Sequence, residues 1–273
     1  MTKIGDYTDI EVNLDGYVAT VEIQRPPFNF FDFELIGAIA QAFDDLDANA
    51  DCRAIVLAAD GKAFCAGANF GGDSAIDKED KAESKKKEGT AFSRRSSKLY
   101  NEAVRLFGNK KPVVCAVQGA AIGGGLGLSL VGDFRVACPE ARFSANFSRL
   151  GFHPGFGLTH TLPALIGQQK AHLMFYTGRR IKAEQAFEWG LVDLLVPQDQ
   201  VRSAAQELAA EIAGSAPLAV QAIRATVRQG IADRVRAATD HELTEQEWLL
   251  QTEDAKEGIK STAERREPNF AGK

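Results

Sequence analysis

Ala54-Ile55-Val56-Leu57-Ala58-Ala59 leads into Gly61-Lys62-Ala63-Phe64-Cys65-Ala66-Gly67-Ala68-Asn69-Phe70, and this junction decides how the chain folds. Apolar residues without a polar break predict a strand buried on both faces, as in a parallel sheet. The small residues that follow leave backbone N–H groups uncovered at the strand's C-terminal end. In open α/β folds, ligands collect at that edge.

The arrangement recurs downstream. Val113-Val114-Cys115-Ala116-Val117 is a second apolar run, followed by Gly119-Ala120-Ala121-Ile122-Gly123-Gly124-Gly125-Leu126-Gly127. A helix is predicted over Leu126–Val131, which places Gly123–Gly125 at its N-terminus, with unpaired N–H groups and the positive end of the dipole facing the turn. Amides from two such turns would converge on one oxygen; each donor aimed at a developing oxyanion is worth about 2.7–4 kcal/mol. The competing reading is that the glycines only permit tight strand-to-helix turns.

Around these motifs the pattern is α/β. Ile10, Val12 and Leu14 alternate with polar residues, as do Tyr17, Ala19, Val21 and Ile23, and Asp15-Gly16 between them signals a hairpin. Leu35, Ile36, Ile39, Ala40, Phe43 and Leu46 recur at helical spacing. Phe134–Cys138 reads as a third buried strand. Strands alternating with helices imply right-handed crossovers. Beyond residue 200 the chain reads as three helices, over 200–213, 216–229 and 235–258. A core over 1–200 and a helical region over 201–273 are expected.

Bulk properties narrow the function. The 273 residues carry a net charge of −5, 45% hydrophobic and 25% charged residues, as in an ordinary globular chain without a nucleic-acid footprint. No apolar run reaches the length of a membrane span, and MTKIGDYTDI is too polar for a signal peptide. The four cysteines are scattered without a metal-binding or disulfide pattern, so a reduced cytoplasm is expected. Cys65 is read as a buried filler in preference to a nucleophile. Asp77–Lys87 is a dense mixed-charge run, read as a solvated face, with a flap over a ligand as the alternative. Neither glycine turn fits a dinucleotide fingerprint or a P-loop.

Taken together, the chain resembles the enoyl-CoA hydratase/isomerase (crotonase) family. The likeness is carried by Arg25-Pro26, K-A-F-C-A-G-A-N at 62–69, K-K-P-V-V-C-A-V-Q-G-A-A-I-G-G-G at 110–125, Gly132-Asp133-Phe134, Phe152-His153-Pro154-Gly155-Phe156-Gly157 and Ala186–Val192, and it extends to Glu264–Phe270. The resemblance implies a crotonase (ClpP-like) α/β spiral of ββα units, with C-terminal helices that join protomers into trimers or hexamers. It also implies a coenzyme A thioester as substrate, its oxygen held by the amides of Ala68 and Gly124. Ala66 would approach the adenine, Arg25 and Phe28 would border the CoA groove, and Arg265 would reach CoA. Asn69, Phe70, Ile122, Gly123, Pro154 and Gly155 fall in the matching substrate-binding segments. No metal, nicotinamide or flavin is expected.

At two positions the chain departs from that pattern. Family hydratases carry a glutamate three residues after the oxyanion-hole glycine, on the same helix face; here it is Gly127. The second glutamate position is Phe147. Hydration needs a positioned acid and base, and neither residue moves a proton. Gly127 either makes room for a bulky acyl group or permits close packing, and Phe147 is an acyl wall or core. His153 is the first candidate for a replacement base because imidazole titrates near neutrality; its alternative is a loop histidine bonded to a carbonyl. His160 ranks below it, and Asp133 matches a structural position. Three functions are weighed: an acyl-CoA enzyme (isomerase, hydratase-like, hydrolase or lyase), an acyl-CoA-binding protein without catalysis, and a purely structural oligomer subunit, which explains neither the intact turns nor their spacing.

Overall fold

A computed structural model of the protein describes residues 1–69 and 91–273; Phe70 and the charged run at 77–87 lie outside the described residues. The predicted hairpin is β2 (Ile10–Asp15) and β3 (Val18–Ile23), paired antiparallel with Val12 opposite Val21, and β1 (Thr2–Lys3) adds to its edge. Asp32 caps α1 (Phe33–Ala48) by accepting from the Leu35 amide, and the helix buries the apolar face expected of its spacing.

The chain then alternates between two sheets. β4 (Ala54–Ala59), β6 (Val113–Val117) and β8 (Phe134–Ala137) lie side by side and parallel in the larger sheet. Each is followed by a short strand of the smaller sheet: β5 (Ala63–Cys65), β7 (Ala120–Ile122) and β9 (Arg142–Ser144), also parallel. The chain therefore steps from large sheet to small sheet and back, and the turns between and after these strands line up along one edge. β10 (Arg180–Lys182) closes the small sheet antiparallel to β9, and β11 (Leu194–Leu195) closes the large one parallel to β8. Every residue of β4 and β6 is buried, as expected for strands covered on both faces.

Helices fill the crossovers: α2 (Ala91–Phe107), α3 (Gly124–Ser129), α4 (Leu158–Ile166), α5 (Gln168–Thr177) and α6 (Ala183–Glu188). Helix α3 begins two residues before the predicted start, so Gly124 is its first residue and Gly123 its cap. The C-terminal region holds four helices where three are predicted: α7 (Val201–Ala213), α8 (Pro217–Val227), α9 (Ile231–Leu249) and α10 (Glu253–Ala263). The predicted 235–258 helix breaks because the Thr252 hydroxyl accepts from the Ala255 amide and starts a new helix, with Glu253 and Asp254 in its first turn.

Buried ions tie α8 to the sheet. The Asp133 carboxylate accepts from the Val113 amide, from Arg224 Nε at 2.8 Å and from Arg228 at 3.0 Å. Asp133 thus plays a structural part, as expected.

Candidate functional site

The two glycine turns meet. A side chain built on Gly67 would place its Cβ 2.8 Å from the Ile122 carbonyl oxygen and 3.8 Å from the Gly124 nitrogen. One built on Gly125 would stand 2.1 Å from the Cys65 carbonyl oxygen. The turns therefore pack main chain against main chain, which only glycine permits at these points, and Gly67 also holds φ at +86°. Neither the Ala68 nor the Gly124 amide donates to a backbone or side-chain acceptor among the described residues. Amides that donate to no described acceptor, from two touching turns, are the kind of donor that a developing oxyanion requires.

The 25–31 segment braces the first turn. The Ala66 amide donates to the Phe28 carbonyl at 3.0 Å, and the Phe31 amide donates to the Gly67 carbonyl at 3.1 Å. Arg25 is turned inward: its guanidinium donates to Asp9 at 2.6 Å and Asp32 at 2.7 Å, so both carboxylates already claim its charge. Buried Asn29 donates to the carbonyls of Asp60 and Ala63 at 2.6 and 2.7 Å, fixing the loop against β5. Phe28 remains half exposed, at 49%. Asn69 is exposed at the end of the described first turn. Cys65 is fully buried, its thiol pushed up to about 12 by burial, which is the state of a filler and not of a nucleophile.

Aromatic rings crowd the second turn. Phe31 lies so close to Gly124 that a Cβ there would sit 2.3 Å from its ring. A Cβ on Gly123 would meet Asn146 Oδ1 at 3.4 Å and the Phe147 ring at 3.6 Å, so Phe147 borders the turn. The space beside Gly127 belongs to Phe156, whose Cβ and ring would stand 2.9 Å from an added Cβ. Of the two readings of Gly127, close packing describes the geometry, since Phe156 fills the space beside it. Phe156 also pairs with Phe31, ring centroids 5.7 Å apart. Ile122, Phe147 and Phe31 are nearly buried around Gly123 and Gly124.

The loop after Phe147 is anchored from α9. Gln246 donates to the carbonyls of His153 and Pro154 at 3.0 and 3.2 Å and accepts from the Tyr100 hydroxyl at 2.9 Å. One helical turn earlier, Glu242 accepts from the Gly157 amide at 2.8 Å, the Thr159 amide at 2.9 Å and the Thr159 hydroxyl at 2.6 Å. Glu242 therefore caps α4, whose own cap residue, Gly157, has no side chain. Burial pushes the Glu242 carboxyl above the usual carboxylate range, against the pull of its Thr159 and Gly157 donors. Between these anchors Phe156 holds φ at +65°, an outlying conformation for a bulky residue.

His153 stands on the loop that Gln246 anchors. With Pro154 it lines a cavity of about 820 Å³ whose wall includes Phe152, Phe175, Trp248 and Phe270 but no residue of either turn. Its Nδ1 lies 2.9 Å from the Pro154 carbonyl, and its ring stands edge-on to His241 with centroids 6.0 Å apart. This is the geometry of the loop histidine bonded to a carbonyl. His160 accepts from Arg234 Nε at 3.3 Å, and burial, then Arg234, lowers its pKa. Gly155 is buried against the Tyr100 hydroxyl and Gln246. Arg265 lies exposed past the end of α10 with φ at +55°. Phe31, Phe156, Glu242 and Gln246 are the residues that sequence reasoning missed. Only Asp32, the helix cap after Phe31, could have hinted at one of them.

These features define an α/β chain that turns two main-chain turns toward one edge, with helices packed behind them. The sequence model of the enoyl-CoA hydratase/isomerase family matches residues 14–273, and the chain belongs to that family. It is 30% identical over 258 residues to the 1,2-epoxyphenylacetyl-CoA isomerase of Escherichia coli, covering 94% of this chain and 95% of that one. It is also 30% identical over 268 residues to the carnitinyl-CoA dehydratase of Salmonella enteritidis, at 97% and 98% coverage. Among solved structures, the enoyl-CoA hydratase/isomerase from Pseudoalteromonas atlantica superposes with a TM-score of 0.80 at 26% identity, over 97% of this chain and all of that one. The fold is the crotonase spiral, and the C-terminal helices fit the region that follows it.

Proposed function

We propose that the protein acts on coenzyme A thioesters, holding the thioester oxygen between the amides of Ala68 and Gly124 and stabilising an enolate there. The observation that carries this reading is the direct contact of the two turns, which puts Gly67 beside the Gly124 nitrogen. Ala66, Asn69, Ile122 and Gly123 would flank the bound thioester, with Phe147 as an apolar wall. Arg25 would border the CoA groove through its backbone loop, its charge being matched by Asp9 and Asp32.

Hydration is the disfavoured chemistry within this class. The two positions of the hydratase glutamates hold Gly127 and Phe147, and Phe156 fills the space beside the first. A proton shift along a bound acyl group, as in an isomerase, also needs a positioned base, and neither position supplies one. Relatives of equal identity are named an isomerase and a dehydratase, so their names do not divide the class. The lack of a titratable side chain at those two positions favours one second reading, an acyl-CoA-binding protein without turnover. A hydrolase or lyase using His153 is less well supported, because His153 lines a separate cavity.

A homotrimer or hexamer is part of the proposal. Leu218, Ile223 and Val227 of α8 are 80%, 63% and 75% exposed, an apolar surface suited to a second copy.

The test is crotonyl-CoA hydration by the purified protein, beside calorimetric titration with butyryl-CoA and with free CoA. Thioester binding with little or no hydration is expected. Replacing Gly124 with proline deletes its amide donor, so butyryl-CoA affinity should fall by up to about tenfold, the order of one lost hydrogen bond to a neutral carbonyl, while affinity for free CoA stays level. Unchanged binding in a folded Gly124→Pro variant would remove the oxyanion assignment.

A further inference from the structure

Gly124 and Gly127 lie three residues apart on α3 and share one face. Two phenyl rings cover that face: Phe31 rests on Gly124, Phe156 rests on Gly127, and the rings touch each other. The face beside the uncommitted Gly124 amide is thus closed by side chains of the same protein. Phe156 is 1% exposed, and Phe31 is 8% exposed.

Phe156 does not hold this place through its own backbone preference, since its left-handed conformation disfavours a bulky side chain. The anchors lie on both sides. Gln246 binds the carbonyls of His153 and Pro154 before it, and Glu242 binds the amides of Gly157 and Thr159 after it. Glu242 and Gln246 are four residues apart on one buried face of α9. Tyr100 completes the clamp by donating to Gln246, and its hydroxyl leaves no room for a side chain at Gly155.

We propose that Phe156, clamped by Glu242 and Gln246, is a specificity-determining plug that closes the acyl end of the thioester site and restricts it to short or compact acyl groups. Phe156 meets the acyl group, while Glu242 and Gln246 are positioning residues that act through it. The inference rests on the thioester reading above. It differs from that reading in what it decides, because the amides determine whether a thioester binds and the plug determines which one.

The experiment compares butyryl-CoA and octanoyl-CoA by calorimetry on the wild-type protein and on Phe156→Gly. Glycine suits φ +65° and removes the ring. The wild type should prefer butyryl-CoA, and the variant should raise the ratio of octanoyl to butyryl affinity by about tenfold or more. Phe156→Leu, which keeps a smaller apolar filler, should shift the ratio partway and serves if the glycine variant does not fold. Gln246→Ala should move the ratio in the same direction, which a merely structural loss of stability would not do. An unchanged ratio in a folded Phe156 variant that still binds butyryl-CoA overturns the plug alone. A wild type that binds neither thioester more tightly than free CoA overturns the underlying reading, and the plug with it.

Discussion

Gly125 is the residue whose replacement tests the contact between the turns most sharply. An alanine there would drive its Cβ into the Cys65 carbonyl, which is backbone and cannot swing away. Gly125→Ala should therefore cost at least about 1–3 kcal/mol, as overpacking does, and thermal unfolding should show the loss. A melting temperature equal to the wild type would mean that the turns do not touch. His153 makes the contrasting case. Its Nδ1 sits by the Pro154 carbonyl and its ring faces the cavity beneath Trp248. His153→Ala should leave thioester binding and any turnover within about threefold, whereas loss of the 10²–10⁴-fold typical of a general base would install it as the base. His153 also shows what a sequence can and cannot convey. Its place in the Phe152–Gly157 motif was legible, but the anchoring of its backbone carbonyl depends on Gln246, more than ninety residues away.

The elements most legible in the sequence were those with a sustained pattern. β4 and β6 announced themselves as unbroken apolar runs, and α1 by its helical stripe. The small sheet did not, because strands of three residues are too short to carry a period. The break between α9 and α10 was also missed, since a single Thr252 hydroxyl ends an otherwise continuous helical pattern. That break lets the C-terminal tail fold back on α10. Asp254 accepts from the Ala271 and Gly272 amides at 2.7 and 2.8 Å, and Glu257 accepts from Asn269 and from Arg266. Arg266 foremost, then the Asn269 amide, holds the Glu257 carboxyl down at about 2. A depressed pKa means that the strap's contribution is present above the ordinary value of 4.5 and is lost as pH falls from there toward 2. Acidification through that window should loosen the tail before the core unfolds. Because Phe270 and Lys273 share a cavity with Trp248, tryptophan emission should report it. Emission that stays level through that window in the wild type, or a Glu257→Gln variant that loosens with the same acid dependence as the wild type, would contradict this.

For the molecule as a whole, the spiral follows from a simple alternation: a long strand for one sheet, a short strand for the other, then a helix. The sequence revealed the long strands and the glycine turns after them, hence the fold and the edge proposed to carry the site. It did not reveal the aromatic lining, because phenylalanines in a chain with seventeen of them do not declare which partner they will meet. Oligomerisation belongs to this scale. With Leu218, Ile223 and Val227 exposed on α8, sedimentation should find an assembly larger than one chain. Ile223→Asp together with Val227→Asp should shift it toward the monomer, and a wild type that sediments as a monomer would refute the assignment.

The two turns that meet at Gly67 and Gly125 have a consequence for how the protein should respond to its medium. A main-chain amide neither gains nor loses a proton anywhere near neutrality, unlike a carboxylate or an imidazole. Thioester affinity governed by Ala68 and Gly124 should accordingly stay level across the neutral range. Any sloping profile would then belong to the thioester or to a residue away from the turns.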